Sequence, residues 1–553
     1  MNEDRNGESD VGANREQPSN DTSSPELTPP EPNDSFAAAP SSITDQQIEE
    51  GAELRQGTIT SARFNILSTM VGGGCLSLPL AFYQAGNSLL GPILLMFFAY
   101  LVRKSIDYLV QAAIFSHPSD DTEEHKRQKG SKSFDSVACA AFGPKAKYFT
   151  MGLLATICFF TIVGYAVLLR DMLLPLSDLI FGNDVGGTGP SFHHNLTMLT
   201  IIVIVTPLCT LKDLTPLEKI GALSMMSIFT VACCISYRSA QCNFSPSYES
   251  VRLMPWYEYV NFVPSAKQGF GSAVHDLLNS LPILISVFMC HFNVLPVHNE
   301  FSDPSPQRVN TLFSSSIWGA CIFYIFVGFS GSMYGNCTAE GMVEGNILLS
   351  FREDDVLLLV GKVCLSLTIT AAFPVLVVPC RDIALRALSA NSGTDEEVDL
   401  NNNALSEPLL ANDHNTENSD ERMSLEDKHE QKRTQKRRIA SVIILWTAAV
   451  LACCVESIDI VWDILGGSLS LVMGFLIPSG SFIVLSKVIE RSQLRNSTEL
   501  LSEEGMPTTF IQGSFEESSI QNNKSPKLAY FLLVLFLPLI VILTGNAVYN
   551  LST

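Results

Sequence analysis

Charged side chains are scarce in this 553-residue chain, at 16% of the sequence, whereas hydrophobic side chains make up 46%. The mean hydropathy is accordingly positive, at +0.23. Soluble globular domains carry about 25% charged residues on average. Long apolar runs with few charges are instead typical of helices that cross a bilayer. The composition therefore predicts an all-α membrane protein that crosses the bilayer many times, rather than an array of soluble domains.

Catalytic and metal-binding patterns are also lacking. The sequence has no G-x-S-x-G elbow, no H-E-x-x-H pair and no phosphate-binding P-loop. No C-x-x-C pair is followed by histidines at a spacing that would bind zinc. No basic patch with interleaved aromatic residues suggests nucleic-acid binding. We therefore expect neither an enzyme nor a protein with a resident cofactor or a nucleic-acid partner.

The net charge of −21 comes almost entirely from two polar segments. Residues 1–55 hold 13 acidic and 3 basic side chains, and residues 391–430 hold 12 and 2. Such segments, with few aromatic residues, are predicted to be disordered. The acidity therefore describes tails and loops and says little about a substrate. The N-terminus also lacks the pattern of a cleavable signal peptide, so we expect the first apolar span to start insertion.

Apolar segments of the length needed to span a bilayer number about eleven, at roughly 20 residues per crossing. We expect an acidic cytosolic tail at 1–55, transmembrane helices 1–8 within 56–381, a disordered cytosolic loop at 382–437 and helices 9–11 within 438–553. The predicted spans are 60–82, 88–115, 146–170, 195–211, 217–238, 272–292, 311–333, 354–380, 438–455, 460–488 and 527–549.

The orientation of the spans is indicated by Lys and Arg, which accumulate in cytosolic connections. Residues 125–132, HKRQKGSK, lie between spans 2 and 3, and Lys432–Arg438, KRTQKRR, lie directly before span 9. Both fall on one side if the N-terminus is cytosolic. We therefore expect an integral membrane protein with its N-terminus in the cytosol. The plasma membrane and the vacuolar or lysosomal membrane are both consistent with this orientation.

Two cysteines, Cys242 and Cys337, lie in predicted non-cytosolic loops. The environment there is oxidising, so a disulfide is favoured over two unpaired thiols. Asn243 and Asn336 begin N-x-S/T sequons on the same side and are candidate glycosylation sites. Such sequons are common by chance, and they are compatible with the topology without establishing it.

The stretch Phe64–Gly86, FNILSTMVGGGCLSLPLAFYQAG, is apolar enough to enter a bilayer, yet three consecutive glycines and Pro79 interrupt it. Gly weakens a helix by roughly 1 kcal/mol relative to Ala, and Pro by roughly 3 kcal/mol. A broken backbone at membrane depth is tolerated only inside protein or beside a water-filled cavity. One hypothesis is a discontinuous helix that forms a binding site in mid-membrane. The alternative is a seam of small residues where two helices pack.

The sixth and eighth spans contain further candidates. Pro282 and Pro296 bracket the sixth span, and His291 within it is more often a packing residue than a proton relay. The eighth span carries hydroxyls, including those of Thr368 and Thr370. Such hydroxyls offer oxygen ligands to a hard cation such as sodium. Equally, Ser and Thr hydroxyls often bond to the preceding turn of their own helix.

Several of these segments resemble the amino acid/auxin permease family, which includes sodium-coupled neutral amino acid transporters and vacuolar amino acid transporters. FNILSTMVGGGCLSLPLAFYQAG is similar to the first helix of that family, and LPILISVFMCHFNVLPVHNE is similar to its sixth. GNILLSFREDD and FPVLVVPCRDIA resemble the approach to the eighth helix and its end. The resemblance implies a five-plus-five inverted repeat of the LeuT type, with an eleventh helix added.

The resemblance also implies site residues. The substrate would lie between broken helices 1 and 6, with its carboxylate favoured by helix N-termini. A coupling cation would lie between helices 1 and 8. Sodium-coupled members have Asn where Ser68 stands, so proton coupling is at least as well supported as sodium coupling. The substrate site would comprise Val71, Gly72, Gly73, Gly74, Ser286, Val287 and Phe288, the cation site Ser68, Val71, Thr368 and Thr370, and the disulfide Cys242 and Cys337.

These features together predict a secondary active transporter of neutral amino acids that works by alternating access. The driving gradient would be one of protons or of sodium ions, and we expect no cofactor apart from Na⁺ as a candidate coupling ion. The alternative is a membrane sensor that binds amino acids and signals through its cytosolic tail. Transporter and sensor would share the same site. The expected partners are therefore a small-molecule amino acid and the lipid bilayer.

Overall fold

The computed structural model describes residues 58–86, 89–116, 133–181, 192–210, 220–245, 270–301, 305–338, 342–352, 355–391, 417–504 and 526–552. The predicted acidic tail at 1–55 lies outside the described residues. Within the described ranges the secondary structure is helical, apart from one isolated bridge residue at Phe301. The prediction of an all-α fold is therefore confirmed.

The helices follow one another along the whole described part of the chain. They are α1 (Ile59–Met70), α2 (Leu78–Gln84), α3 (Leu90–Phe115), α4 (Phe134–Phe142), α5 (Pro144–Met172), α6 (Leu174–Phe181), α7 (Phe192–Cys209), α8 (Ile220–Phe244), α9 (Phe270–Ser286), α10 (His291–Glu300), α11 (Pro306–Tyr334), α12 (Val356–Asn391), α13 (Glu417–Cys454), α14 (Ile458–Ile464), α15 (Ile477–Glu504) and α16 (Pro526–Ser552).

Helical segments occupy all the positions at which spans were predicted. Within the described ranges, nine helices are long and apolar enough to cross a membrane, and the bent pair α1–α2 makes ten. The one predicted span that is not among these ten corresponds to α3, which carries Arg103 and Asp107. These two side chains form an ion pair of 2.6 Å, and Arg103 also bonds to Asn310 of α11. The charge of Arg103 is thus paired inside the bundle, as an ionisable group in a membrane helix requires.

The first span is broken where the glycines predict. α1 ends at Met70, a 3₁₀ turn covers Gly73–Ser77, and α2 follows at an angle of 49° to α1. Pro79 lies in the first turn of α2, where its missing N–H removes no helical hydrogen bond. The local sequence is therefore sufficient to explain this break.

The sixth span is also broken, although its middle contains no glycine. α9 ends at Ser286 and α10 begins at His291. The carbonyl of Val287, freed by the break, accepts a hydrogen bond of 2.8 Å from the Tyr324 hydroxyl on α11. That bond replaces one that lipid could not provide. Spans 1 and 6 are thus both discontinuous in this structure.

The tenth span begins with α14 and continues through two π-helical segments, Leu465–Leu469 and Val472–Leu476, into α15. A π turn widens the helix and frees a backbone carbonyl, and such turns frequently mark functional sites. Here Ser105 of α3 donates a hydrogen bond to the carbonyl of Gly474. The apolar pattern predicts this span at 460–488 but not its π-helical segments.

The predicted disordered loop at 382–437 needs correction at both ends. α12 continues to Asn391, and α13 already begins at Glu417, well before the apolar part of the ninth span. The first part of α13 is rich in Glu, Gln, Lys and Arg, which are good helix formers. Residues 392–416 lie outside the described residues. The composition of residues 382–437 suggested disorder, but helix propensity favours extension of the eighth and ninth spans into this segment.

The predicted disulfide Cys242–Cys337 is present in the structure and joins the end of α8 to the segment that follows α11, with a Cα–Cα distance of 6.4 Å. The glycosylation expectation is not supported, because Asn243 and Asn336 are buried, at 1% and 0% exposure. The amide nitrogen of Asn243 donates to the carbonyl of Met333 over 3.1 Å. A glycan on either side chain requires access that this packing does not leave.

Candidate functional site

A cavity of about 670 Å³ lies where the breaks of the first and sixth spans meet. Its wall is formed by residues of α1, α4, α5, α8, α9, α10, α12 and the tenth span. The glycines Gly72, Gly73 and Gly74 lie on one side, and Ser286 and Val287 lie on another. A volume of a few hundred Å³ to about 1,000 Å³ is typical of small-molecule sites. The breaks of the first and sixth spans therefore line the same cavity.

Side chains of α5 and α14 lie close to all three glycines, and at Gly72 and Gly73 they leave no room for a Cβ unless a neighbour shifts. A Cβ on Gly72 would lie 2.8 Å from the Tyr165 hydroxyl oxygen, and one on Gly73 would overlap the side chain of Leu168. At Gly74 the indole of Trp462 lies 3.5 Å from the same position. Each glycine therefore lets another element approach the broken backbone. The packing-seam interpretation therefore fits this stretch, and the binding-site interpretation stays a prediction.

The predicted substrate residues separate into two groups. Five of them, the three glycines together with Ser286 and Val287, line the cavity. Val71 and Phe288 are buried, at 2% and 0% exposure, and their side chains do not line it. Phe288 instead packs edge-on against Tyr324, with 5.4 Å between ring centroids. Val71 and Phe288 can therefore contribute backbone groups, but their side chains support the bundle.

The predicted cation residues are not gathered on the cavity wall. Ser68 lines the cavity, whereas Thr368 and Thr370 do not. The hydroxyl of Thr368 donates to Leu365 O over 2.8 Å, and that of Thr370 donates to Ser366 O over 2.6 Å. These are bonds to the preceding turn of the same helix. The hydroxyl oxygens retain lone pairs, so a hard cation remains chemically compatible with them.

Asn65, Thr69 and Asn293 are wall residues that the sequence analysis did not identify. The amide nitrogen of Asn293 donates to Asn65 Oδ1 over 2.9 Å and to Thr69 Oγ1 over 2.8 Å. These bonds link α1 to α10, which are the halves of the first and sixth spans on the side where the first span begins. We call these three residues the asparagine clasp. No motif in the sequence pairs these positions, which are 228 and 224 residues apart.

The cavity reaches the end of the bundle at which the first span begins. Asp135 at the start of α4 and Arg386 near the end of α12 are on its wall there. Odd spans begin and even spans end on that side. It is the side predicted to be cytosolic. Asn65 and Pro296, also on the wall, are exposed. The cavity is therefore accessible from this side.

At the glycine end of the cavity, Trp462 is 7% exposed and lies between Gly74 and Gly164. Behind it, the buried side chain of Arg170 donates to the carbonyls of Ala452, at 3.0 Å, and Val455, at 2.8 Å. These carbonyls belong to the end of α13, where a cation suits the helix dipole. Arg170 therefore holds the end of the ninth span against the third span.

The sequence is also similar to known proteins. The family described as "Transmembrane amino acid transporter protein" matches residues 55–496. Among relatives, "Amino acid transporter AVT6E" of Arabidopsis thaliana is 27% identical over 327 residues, which is 56% of this chain and 58% of that protein. "Solute carrier family 38 member 10" of Homo sapiens is 25% identical over 319 residues, covering 57% and 25%. "Vacuolar amino acid transporter 5" of Schizosaccharomyces pombe (strain 972 / ATCC 24843) is 24% identical over 329 residues, covering 59% and 69%.

The match to the first two of these relatives spans 58% and 25% of their lengths. The names describe transporters or solute carriers, in agreement with the expectation that this chain is not an enzyme. Among solved structures, the "Crystal structure of MhsT in complex with L-phenylalanine" aligns with a TM-score of 0.44 and 12% identity, over 88% of this chain and 98% of that one.

Proposed function

The chain belongs to the transmembrane amino acid transporter protein family, and from this membership and its cavity we propose that it is a secondary active transporter of neutral amino acids. The observation that carries the proposal is that the broken first and sixth spans share one cavity of about 670 Å³. Discontinuous membrane helices of this kind commonly form the substrate site of transporters. The cavity would hold one small molecule in mid-membrane.

The backbone at the two breaks would recognise the groups common to all amino acids. The 3₁₀ turn that starts at Gly73 and the helix that starts at His291 present N–H groups without helical partners. Such N–H groups and the helix dipole favour a carboxylate. Carbonyls freed at the same breaks would accept hydrogen bonds from the amine. Tyr165, whose hydroxyl lies beside Gly72, adds a polar group to this end of the cavity.

Transport would proceed by alternating access, with the cavity open in turn to either side. The side on which Asp135 and Arg386 lie is the open one in this structure. Opening of the other side would require Trp462 to move away from Gly74 and Gly164. We propose that the N-terminus is cytosolic, in the plasma membrane or the vacuolar or lysosomal membrane. Topology-specific tagging of the N-terminus and imaging of the full chain test both points.

A proton or sodium gradient would drive the uphill movement. The oxygens of Ser68, Thr368 and Thr370 would be ligands if sodium is the coupling ion, together with the backbone of Val71. The hydroxyl of Ser68 donates to Asn65 O over 3.0 Å, so its lone pairs face away from that bond. Sodium coupling would require these groups to converge from the first and eighth spans.

The test is uptake of labelled amino acids into proteoliposomes that contain the full chain. Proton and sodium gradients are applied separately and together, and empty liposomes are the control. We expect saturable uptake of neutral amino acids that one gradient increases and that an uncoupler or sodium removal abolishes. An absence of gradient-dependent uptake for every amino acid in the set would refute the proposal.

A further inference from the structure

We propose that this cavity selects neutral amino acids with large apolar side chains, such as Leu, Met and Phe, over small or polar ones. The inference rests on the proposed function, since it assumes that the breaks of the first and sixth spans hold the amine and carboxylate. It adds a preference that neither the family membership nor those breaks require. The preference follows from three properties of the cavity wall.

The first property is the order of side chains along α5. The cavity face of this helix carries Met151, Leu154, Ile157, Thr161 and Tyr165, in order from the open end toward the glycines. Positions 151 and 165 are about 21 Å apart, at 1.5 Å per residue. On α5, the polar side chains lie at the glycine end and the apolar ones lie between that end and the mouth of the cavity. A substrate anchored at the glycines therefore extends its side chain along an apolar wall.

Other elements continue this apolar wall around the cavity. Met289 and Phe292 contribute from the sixth span, Val375 and Leu376 from α12, and Trp462 from α14. Several of these side chains are large, and Met in particular adapts to ligands of different shape. The cavity has room for the largest side chains, because its volume is in the range of sites for drug-sized molecules. A small side chain would leave much of this apolar surface without contact.

The second property is that several hydroxyls on the wall already donate their protons to backbone carbonyls. Ser68 donates to Asn65 O and Ser286 donates to Ile283 O, each over 3.0 Å. Thr161 donates to Ile157 O over 2.8 Å. A substrate amide or hydroxyl that enters the cavity loses its bonds to water and finds few donors in exchange. A polar side chain is therefore disfavoured relative to an apolar one of the same size.

The third property is the position of charge. Among the described residues that line the cavity, Asp135 and Arg386 carry charge, and both lie at the open end. The glycine end has no charged side chain in that set to pair with an acidic or basic substrate. Burial of an unpaired charge costs far more than burial of a neutral group. The cavity therefore admits charged side chains to its mouth and disfavours them at the breaks.

The test compares Leu, Met, Phe, Ala, Ser, Gln, Glu and Lys as ligands of the full chain in detergent and in proteoliposomes. Ligand-induced stabilisation reports binding, and uptake reports transport. We expect the ratio of maximal rate to half-saturation concentration to be about 10-fold or more higher for Leu, Met and Phe than for Ala, since each methylene in an apolar pocket contributes about 10-fold. A preference for Ala, Ser or Gln in both measurements would overturn the inference and leave the proposed function intact, whereas a preference for Glu or Lys would overturn both.

Variants at Leu154 make the test specific to the wall. Leu154→Gln places an amide on the apolar face, and we expect the ratio of Leu to Gln uptake to fall about 10-fold. Leu154→Met, which keeps the volume and the apolar surface, should preserve the ratio. An unchanged ratio in folded Leu154→Gln protein would overturn the inference. Stabilisation by large apolar ligands without any uptake would support the selectivity and refute transport.

Discussion

The side-chain amide of Asn293 donates to the amide oxygen of Asn65 over 2.9 Å, and this bond joins the sixth span to the first beside the cavity. Both residues are on the halves of these spans that face the open side. The same nitrogen donates to Thr69. The asparagine clasp therefore spans the cavity wall where the two broken helices approach each other. Any movement that separates α1 from α10 must break both bonds.

Asn293→Asp tests the asparagine clasp. An ionised Asp keeps the size of Asn but has no N–H to donate, so two hydrogen bonds are lost. At about 1 kcal/mol for each bond, the loss corresponds to roughly a 30-fold change in the equilibrium between conformations. We expect uptake to fall at least 10-fold in proteoliposomes. Thr69→Val, which removes one acceptor, should have the smaller effect, and equal rates for wild type and Asn293→Asp would contradict the role of the clasp.

Gly73→Ala tests the close approach at the first break. The new Cβ would overlap the side chain of Leu168, which has little room to shift because it is fully buried, at 0% exposure. We expect at least a 10-fold loss of uptake, consistent with a cost of about 1–3 kcal/mol for overpacking. The double variant Gly73→Ala/Leu168→Ala should recover part of the loss.

Gly152→Ala is the matched control for Gly73→Ala. A Cβ at Gly152, on the same helix as Leu168, meets nothing within 4 Å. Uptake by this variant should equal that of the wild type. Full activity of Gly73→Ala, or no recovery in the double variant, would contradict the steric explanation. Thermal unfolding of all variants separates a loss of folding from a loss of transport.

Removal of the Cys242–Cys337 disulfide should lower the free energy of unfolding. The bond closes a loop with a sequence separation of 95 residues, and a loop of about this length restricts the unfolded chain enough to contribute about 2–5 kcal/mol. We expect Cys242→Ser to lower the thermal midpoint, and reduction of the wild type to have a similar effect. Cys233→Ser, at an exposed free cysteine of the same helix, is the control. A midpoint equal to that of the wild type would refute the prediction.

The Asp355–Arg238 ion pair, with an N–O distance of 2.7 Å, should make stability depend on pH at low pH. Burial raises the pKa of Asp355, but the hydrogen bond and charge of Arg238 outweigh it and lower the pKa below 3.8. The carboxylate therefore stabilises the fold above pH 3.8, and this contribution is lost as the pH falls through the lowered pKa. The thermal midpoint of Asp355→Asn should lie below that of the wild type at pH 5–7.

The difference between these two proteins should narrow below about pH 4, where Asp begins to be protonated. The pair is partly exposed, at 25% for Arg238 and 14% for Asp355, so high salt should also reduce the difference. Thermal melts at several pH values and two salt concentrations check both expectations. A difference that stays constant down to pH 3 would contradict them.

Local sequence was sufficient for the positions of the spans, the break at Gly72–Gly74 and the two cysteines of the disulfide. Apolar runs of membrane length form helices wherever they occur, and consecutive glycines interrupt a helix without help from other elements. The resemblance of the first and sixth spans to known transporter helices also indicated which two segments to compare. These features depend on residues that are neighbours in the chain.

Only the tertiary structure decided which side chains surround the breaks. Trp462 lies against Gly74, and Asn293 bonds to Asn65, although each pair is separated by more than 200 residues in the sequence. Burial of Asn243 removed a candidate glycosylation site that its sequon alone supported. Hydropathy and helix propensity describe each span separately. The cavity arises from contacts between spans, and its chemistry is therefore a property of the folded bundle.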